Sequence, residues 1–120
     1  MSKKMKLKAT FYGRAEDSET ATGEFGVTLR EALAGEEPLQ CAVDPEVIKL
    51  GTEFTLKLWD GQEVSAKALD TGVGIDGRRI DILVETEEEA DPLGEKFVTA
   101  ILDNGADSED SGDGDDSEEE

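Results

Sequence analysis

Three stretches with a period of two constrain this chain more than anything else in it. Phe54, Leu56 and Leu58 alternate with Thr55 and Lys57; Val64, Ala66 and Ala68 alternate with Ser65 and Lys67; Ile80, Ile82 and Val84 alternate with Asp81 and Leu83. Successive side chains of an extended backbone point to opposite faces, so each stretch predicts a strand with one face buried. Between the first two lies Trp59-Asp60-Gly61-Gln62, whose Asp-Gly pair suits a tight hairpin because both positions tolerate positive φ. Strands over 52–58 and 62–69 are therefore expected to pair antiparallel. Further strands are expected at 5–12, 39–43 and 96–102. Thr86-Glu-Glu-Glu89 has the spacing of a capping box and predicts a short helix to about Asp91. Leu29 to Ala34 reads as a helical turn within segment 13–37, which is rich in Gly, Thr and Glu and otherwise poorly patterned. The fold class expected is all-β, a small barrel with one or two short helices.

Composition narrows the chemistry. The 120 residues include no His and one Cys, with 12 Lys plus Arg against 31 Asp plus Glu, for a net charge of −19. Without His there is no Ser-His-Asp or Cys-His relay, and a lone thiol makes neither an internal disulfide nor a thiolate metal cage. Cys41 is read as a small buried apolar residue. No apolar run approaches the roughly 20 residues that span a bilayer, and no apolar stretch follows the basic start, so a soluble chain without an ordinary secretion signal is expected. The charge balance argues against nucleic acid as a ligand. Composition changes sharply after Leu102. Residues 107–120 hold nine acidic residues and no basic or apolar ones, which predicts a disordered tail following a single domain over 1–106. That body keeps 22 acidic residues against 12 basic ones, so it is acidic by itself. Solubility or tolerance of high salt accounts for both. The Asp103-Asn104-Gly105-Ala106-Asp107 run does not complete a calcium loop.

The informative stretch runs from Lys67 to Val84. Gly72-x-Gly74-x-x-Gly77 matches a dinucleotide fingerprint literally, but that motif must open a helix, whereas Arg79 to Val84 reads as a strand. Leu69-Asp70-Thr71-Gly72 has the form of a retropepsin-like aspartic protease loop, in which two copies of Asp70 across a dimer axis would activate water. Such enzymes need more barrel after this loop than the chain offers.

More of the chain fits a third reading. Ala42-Val43-Asp44-Pro45, Ile48, Leu50-Gly51-Thr52, then Ala68-Leu69-Asp70-Thr71-Gly72, Ile75, Gly77 and Arg79-Ile80-Asp81, with Tyr12 and Thr20-Ala21-Thr22-Gly23 upstream, resemble the three-aspartate (3D) domain. That family is a six-stranded double-psi β-barrel related to the catalytic barrel of membrane-bound lytic transglycosylase A and to small muralytic and spore-associated proteins. The resemblance implies peptidoglycan glycan strands as substrate and cleavage between N-acetylmuramic acid and N-acetylglucosamine. One carboxyl would act as acid and then as base, with no cofactor and no metal. By similarity that carboxyl is Asp81. Asp70 is expected to raise its pKa and orient it, and Asp44 to support the groove or the Asp70 loop. Thr71, Gly72 and Gly74 would let backbone N–H groups approach the sugar.

A plainer reading stands beside this one, in which Asp70 and Asp81 only cap barrel loops through local bonds to backbone. The chain is then a wall-glycan binder or a structural component of a phage particle. Two departures from the family pattern favour it. Val73 stands where the family repeats Gly and is expected to narrow the loop. Asp76 adds negative charge, felt over about 8 Å at physiological salt, near a substrate with anionic peptides. Arg78 and Arg79 offset this if a guanidinium pairs Asp70 or Asp81 or holds a peptide carboxylate; otherwise they are strand-edge charge. Trp59 suits either sugar stacking or covering one end of the barrel. Because peptidoglycan lies outside the cytoplasm, a muralytic role without an export segment points to a phage virion or a lysis protein released to the wall or periplasm, with virion proteins as partners. Otherwise the chain is cytoplasmic. Nothing in the sequence sets the oligomeric state.

Overall fold

The computed structural model describes residues 2–14 and 19–103. In chain order these form β1 (Ser2–Gly13), α1 (Leu29–Leu33), β2 (Leu39–Val43), β3 (Glu53–Lys57), β4 (Glu63–Asp70), β5 (Arg79–Val84), α2 (Glu87–Leu93) and β6 (Lys96–Asp103). The six strands close into a barrel in the order β1-β5-β2-β4-β3-β6. Two pairs are parallel, β1 with β5 and β2 with β4, and the remaining four contacts are antiparallel. These parallel pairs, joined through the antiparallel β2–β5 contact, make the double-psi barrel. Closure leaves no sheet edge open to another strand. The expected tail at 107–120 lies outside the described residues.

The alternation read from the sequence sorts side chains as expected. Phe54, Leu56, Val64, Ala66, Ala68, Ile80 and Ile82 are all buried in one core, with Thr55, Ser65, Lys67 and Asp81 on the outer face. Cys41 belongs to the same core. The β3–β4 hairpin pairs Lys57 with Glu63. Its turn closes where the Leu58 N–H donates to the Gln62 carbonyl at 2.7 Å and Asp60 Oδ1 accepts the Gln62 N–H at 3.0 Å. Gly61 there has φ of 93°, the left-handed conformation the Asp-Gly pair permits.

Strand β1 is longer than the expected 5–12 because it serves two neighbours in turn. Residues Ser2 to Ala9 pair with β6, and Lys8 to Gly13 pair with β5. Ser2 faces Asp103, so both ends of the described barrel meet at one rim. Helix α1 begins at Thr28 with a complete capping box, Thr28 Oγ1 accepting the Glu31 N–H at 3.2 Å and the Glu31 carboxylate accepting the Thr28 N–H at 2.9 Å. Helix α2 is capped by Thr86 as its spacing predicts, and it runs past Asp91 to Leu93. Trp59 packs edge-to-face on Phe11, with ring centroids 5.6 Å apart, and Lys96 lies 5.6 Å from its ring. This favours Trp59 as a cover for the barrel. Among the described residues no helix is long and apolar enough to cross a membrane.

Candidate active site

Backbone register builds the site. On β5, Asp81 lies beside Thr10 of β1 on one side and Ala42 of β2 on the other, and Ala42 in turn lies beside Asp70 of β4. The four residues form one row across four strands. Asp81 points outward because Ile80 and Ile82 take the inward positions. With strands about 4.8 Å apart, the Asp81 and Asp70 backbones lie two spacings from each other, about 10 Å. The residue between them has only a methyl side chain and is 4% exposed. A β-bulge between Cys41 and Ala42 shifts the register, and this is what brings Asp70 into the row.

The three aspartates are held in different ways. Asp44 receives the Gly77 N–H on Oδ2 at 2.7 Å and the Glu46 N–H on Oδ1 at 2.9 Å, and these bonds hold its carboxyl below the usual range. It therefore stays ionised and pins the β4–β5 loop. Asp70 Oδ1 accepts the Thr71 N–H at 2.9 Å and the Ala21 N–H at 3.0 Å. Thr22 adds bonds from its N–H and hydroxyl to the Leu69 carbonyl, both 3.1 Å, so the segment before α1 is docked on the end of β4.

Asp81 is the exception. Its hydrogen-bonding side chain is across the sheet, where Thr10 Oγ1 donates to Oδ1 at 3.1 Å. Burial pushes its carboxyl up, and the Glu87 carboxylate pushes the same way, against the Thr10 bond and the Arg79 charge. The sequence suggested Asp70 as the neighbour that raises Asp81. The acidic neighbour that pushes Asp81 up is Glu87 of α2, while Asp70 accepts the Thr71 and Ala21 amides. Glu87 is brought there by a close approach at Gly13. The Gly13 N–H donates to Glu87 Oε2 at 2.9 Å, and a Cβ on Gly13 would sit 2.4 Å from the Glu87 nitrogen.

The loop residues divide similarly. Thr71, Gly72 and Gly74 are exposed, but the Thr71 N–H already serves Asp70. Val73, expected to narrow this loop, stands clear of it at 105% exposure. Asp76 and Arg78 are exposed. Arg79 lies on the same face of β5 as Asp81, its terminal nitrogen 3.9 Å from Glu95 and its Nε buried without a partner among the described residues.

Register also brings in residues that sequence reasoning did not select. Tyr12 faces Leu83, two residues along from the Thr10–Asp81 pair. Its hydroxyl accepts the Gln40 Nε2 at 2.9 Å, and Gln40 Oε1 accepts the Gly26 N–H at 2.9 Å. Burial, then the Asp70 and Asp81 carboxylates, push the Tyr12 phenol well above its ordinary value, with Gln40 opposing them. Gln40 did carry a signal, a lone amide inside the apolar run Leu39-Gln40-Cys41-Ala42-Val43. Thr10 and Glu87 carried none, because only the pairing of distant strands shows what they meet.

A family model described as the 3D domain matches residues 40–102. The SPbeta prophage-derived uncharacterized protein YorM of Bacillus subtilis (strain 168) is 46% identical over 57 residues, which cover 48% of this chain and 24% of that protein. The matched part thus spans about a quarter of that relative's length.

Proposed function

This chain belongs to the 3D domain family, and from that premise we propose that it cleaves peptidoglycan glycan strands as a lytic transglycosylase, with Asp81 as acid and base. The observation that supports this reading is the division among the aspartates. Asp44 and Asp70 hold loops through backbone amides, whereas Asp81 has its carboxyl raised by burial and by Glu87. A carboxyl that keeps its proton longer is what a general acid requires. In the first step the Asp81 proton passes to the glycosidic oxygen as its bond to the muramyl C1 breaks. The muramyl C6 oxygen then bonds to C1, and its proton returns to the Asp81 carboxylate. The product is a 1,6-anhydro sugar, and no water is consumed. Arg79, half-buried on the same outer face as Asp81, would hold the anionic peptide side of the substrate through the exposed part of its guanidinium. The prophage origin of the relative supports a phage setting, in which the protein meets the wall from a virion or during lysis.

The same loop bonds of Asp44 and Asp70 favour a second reading, a non-catalytic wall-glycan binder or virion component. The aspartic protease reading falls with the family, since Asp70-Thr71-Gly72 lies inside the 3D match at the end of a barrel strand. The test is incubation of the purified protein with peptidoglycan and mass analysis of the products. Release of 1,6-anhydromuropeptides, abolished by Asp81→Asn, is expected. Reducing-end products would replace this mechanism by hydrolysis, and binding without release would leave the non-catalytic reading.

A further inference from the structure

The outer face of β1, β6 and β3 reverses the sign of the molecule. Met5, Leu7, Val98, Ala100 and Leu56 take the inward positions on these strands, so the residues between them point out. Register aligns the outward residues in three rows. Arg79 of β5, Lys8 and Phe97 make the first, Lys6, Thr99 and Lys57 the second, and Lys4, Ile101 and Thr55 the third. Five of the 12 Lys and Arg residues stand in these rows and no Asp or Glu does, in a chain whose net charge is −19. Acidic residues border the face. Glu95 lies 3.7 Å from Lys8 and 3.9 Å from Arg79, Glu63 faces Lys57, and Glu53 stands two residues before Thr55. Among the described residues no carboxylate pairs with Lys4, Lys6 or Lys57. Phe97 is 57% exposed, with the Lys6 ammonium 4.9 Å from its ring centroid. Lys8 sits directly opposite Arg79, and like charges so placed destabilise a sheet unless a counter-charge meets them.

We infer that residues 104–120 of this chain dock across this face and lay their carboxylates along Lys4, Lys6 and Lys8. Charge singles out this occupant, since 104–120 hold nine acidic residues and no basic one. So does the point of departure. Asp103 lies opposite Ser2, two residues from Lys4, so 104–120 begin at the edge of the face. Reaching Lys8 from Ser2 takes about 20 Å along the strand, while seventeen residues span up to about 56 Å, which leaves chain to double back. Asn104-Gly105 is a pair suited to that reversal. Spacing agrees as well. Lys4, Lys6 and Lys8 recur at every second residue, about 6.6 Å apart, and Asp116, Glu118 and Glu120 recur with the same period. One exposed ion pair is weak, but attachment through β6 supplies all nine carboxylates at an effective concentration on the order of millimolar. The inference does not depend on the glycan-cleaving reading. Lys8 and Arg79 are the outward neighbours of Thr10 and Asp81, so the docked segment borders the acid whatever that acid does.

A nitroxide on Ser117→Cys in the full chain tests this by NMR. Cys41 is the sole cysteine and is buried, so the label goes to the introduced thiol. The Lys8 and Phe97 amide signals are expected to lose at least about half their intensity, as millimolar tethering favours the docked form, while Ala42 and Val43 across the barrel keep theirs. The loss should disappear at about 1 M NaCl, where the Debye length falls to about 3 Å, and in the labelled chain carrying Lys4→Gln, Lys6→Gln and Lys57→Gln. The salt series needs no lysine variant, so it stands even if that variant unfolds. Loss spread evenly over the barrel, or loss at Lys8 and Phe97 that ignores both salt and the lysines, would overturn the inference. Transfer of the loss to unlabelled protein in a mixture would make the occupant a second copy and overturn it too.

Discussion

Replacing Asp81 by Asn distinguishes a proton carrier from a structural aspartate, because the two roles change stability in opposite directions. The amide matches the carboxyl in size, and its Oδ1 still accepts the Thr10 hydroxyl. What disappears is a charge that burial and Glu87 both disfavour. The folded carboxyl holds its proton to higher pH than the unfolded one, whose value is about 3.9. Its contribution to stability is therefore fully present below that value and is lost as pH rises through the raised folded value. Asp81→Asn should match the unaltered protein near pH 3.5 and gain on it as pH rises. The Thr10 bond and the Arg79 charge offset part of that penalty without reversing it, so the net change at pH 7 is a gain in stability and a rise in Tm. Circular dichroism melts of both proteins at pH 3.5, 5 and 7 measure it, since every other carboxyl titrates in both and cancels in the difference. A Tm loss beyond about 4 °C at pH 7, or a difference that does not change with pH, would refute the reasoning and make Asp81 a structural group.

Three further outcomes follow from packing. Leu56→Ala empties a fully buried core position and should cost about 2–5 kcal/mol in urea unfolding. Gly13→Ala must push α2 away from β1, because the new Cβ would meet the Glu87 nitrogen at 2.4 Å and the Thr86 carbonyl carbon at 2.5 Å. A loss of about 1–3 kcal/mol is expected, together with a lower Asp81 titration point by carboxyl NMR as Glu87 recedes. Asp44→Ala removes the acceptor of the Gly77 and Glu46 amides, so both should exchange faster with deuterium. In the unaltered protein the same protection is present above the ordinary carboxylate range and is lost as pH falls through the lowered value of Asp44.

Local patterning carried much of this fold. The Phe54–Leu58 and Val64–Ala68 alternation with Asp60-Gly61 between specifies a hairpin without outside help, and Thr86 announces its helix. Alternation alone also places Asp81 outward. Which strands flank β5 is another matter, since period two says nothing of partners. The parallel contacts of β1 with β5 and of β2 with β4 join residues far apart in the chain, and they became legible only through the family resemblance. The same reason hid Thr10, Tyr12 and Glu87 from a reading of the site. Asp70 was visible as a motif, but its bond to Ala21 crosses 49 positions, and no local pattern shows that this carboxylate is committed to a loop. Thr28-x-x-Glu31 carried the same capping signal as Thr86 and lay in the stretch that read least clearly.

The meeting of Ser2 and Asp103 at one rim has a consequence for where the strand ends lie relative to the acid. Thr10, in the row with the acid, lies eight residues along β1 from Ser2, about 26 Å at the usual strand rise. The described chain therefore enters β1 and leaves β6 on the side remote from the reactive row, so the two strand ends that meet at this rim stay about the length of β1 away from the acid.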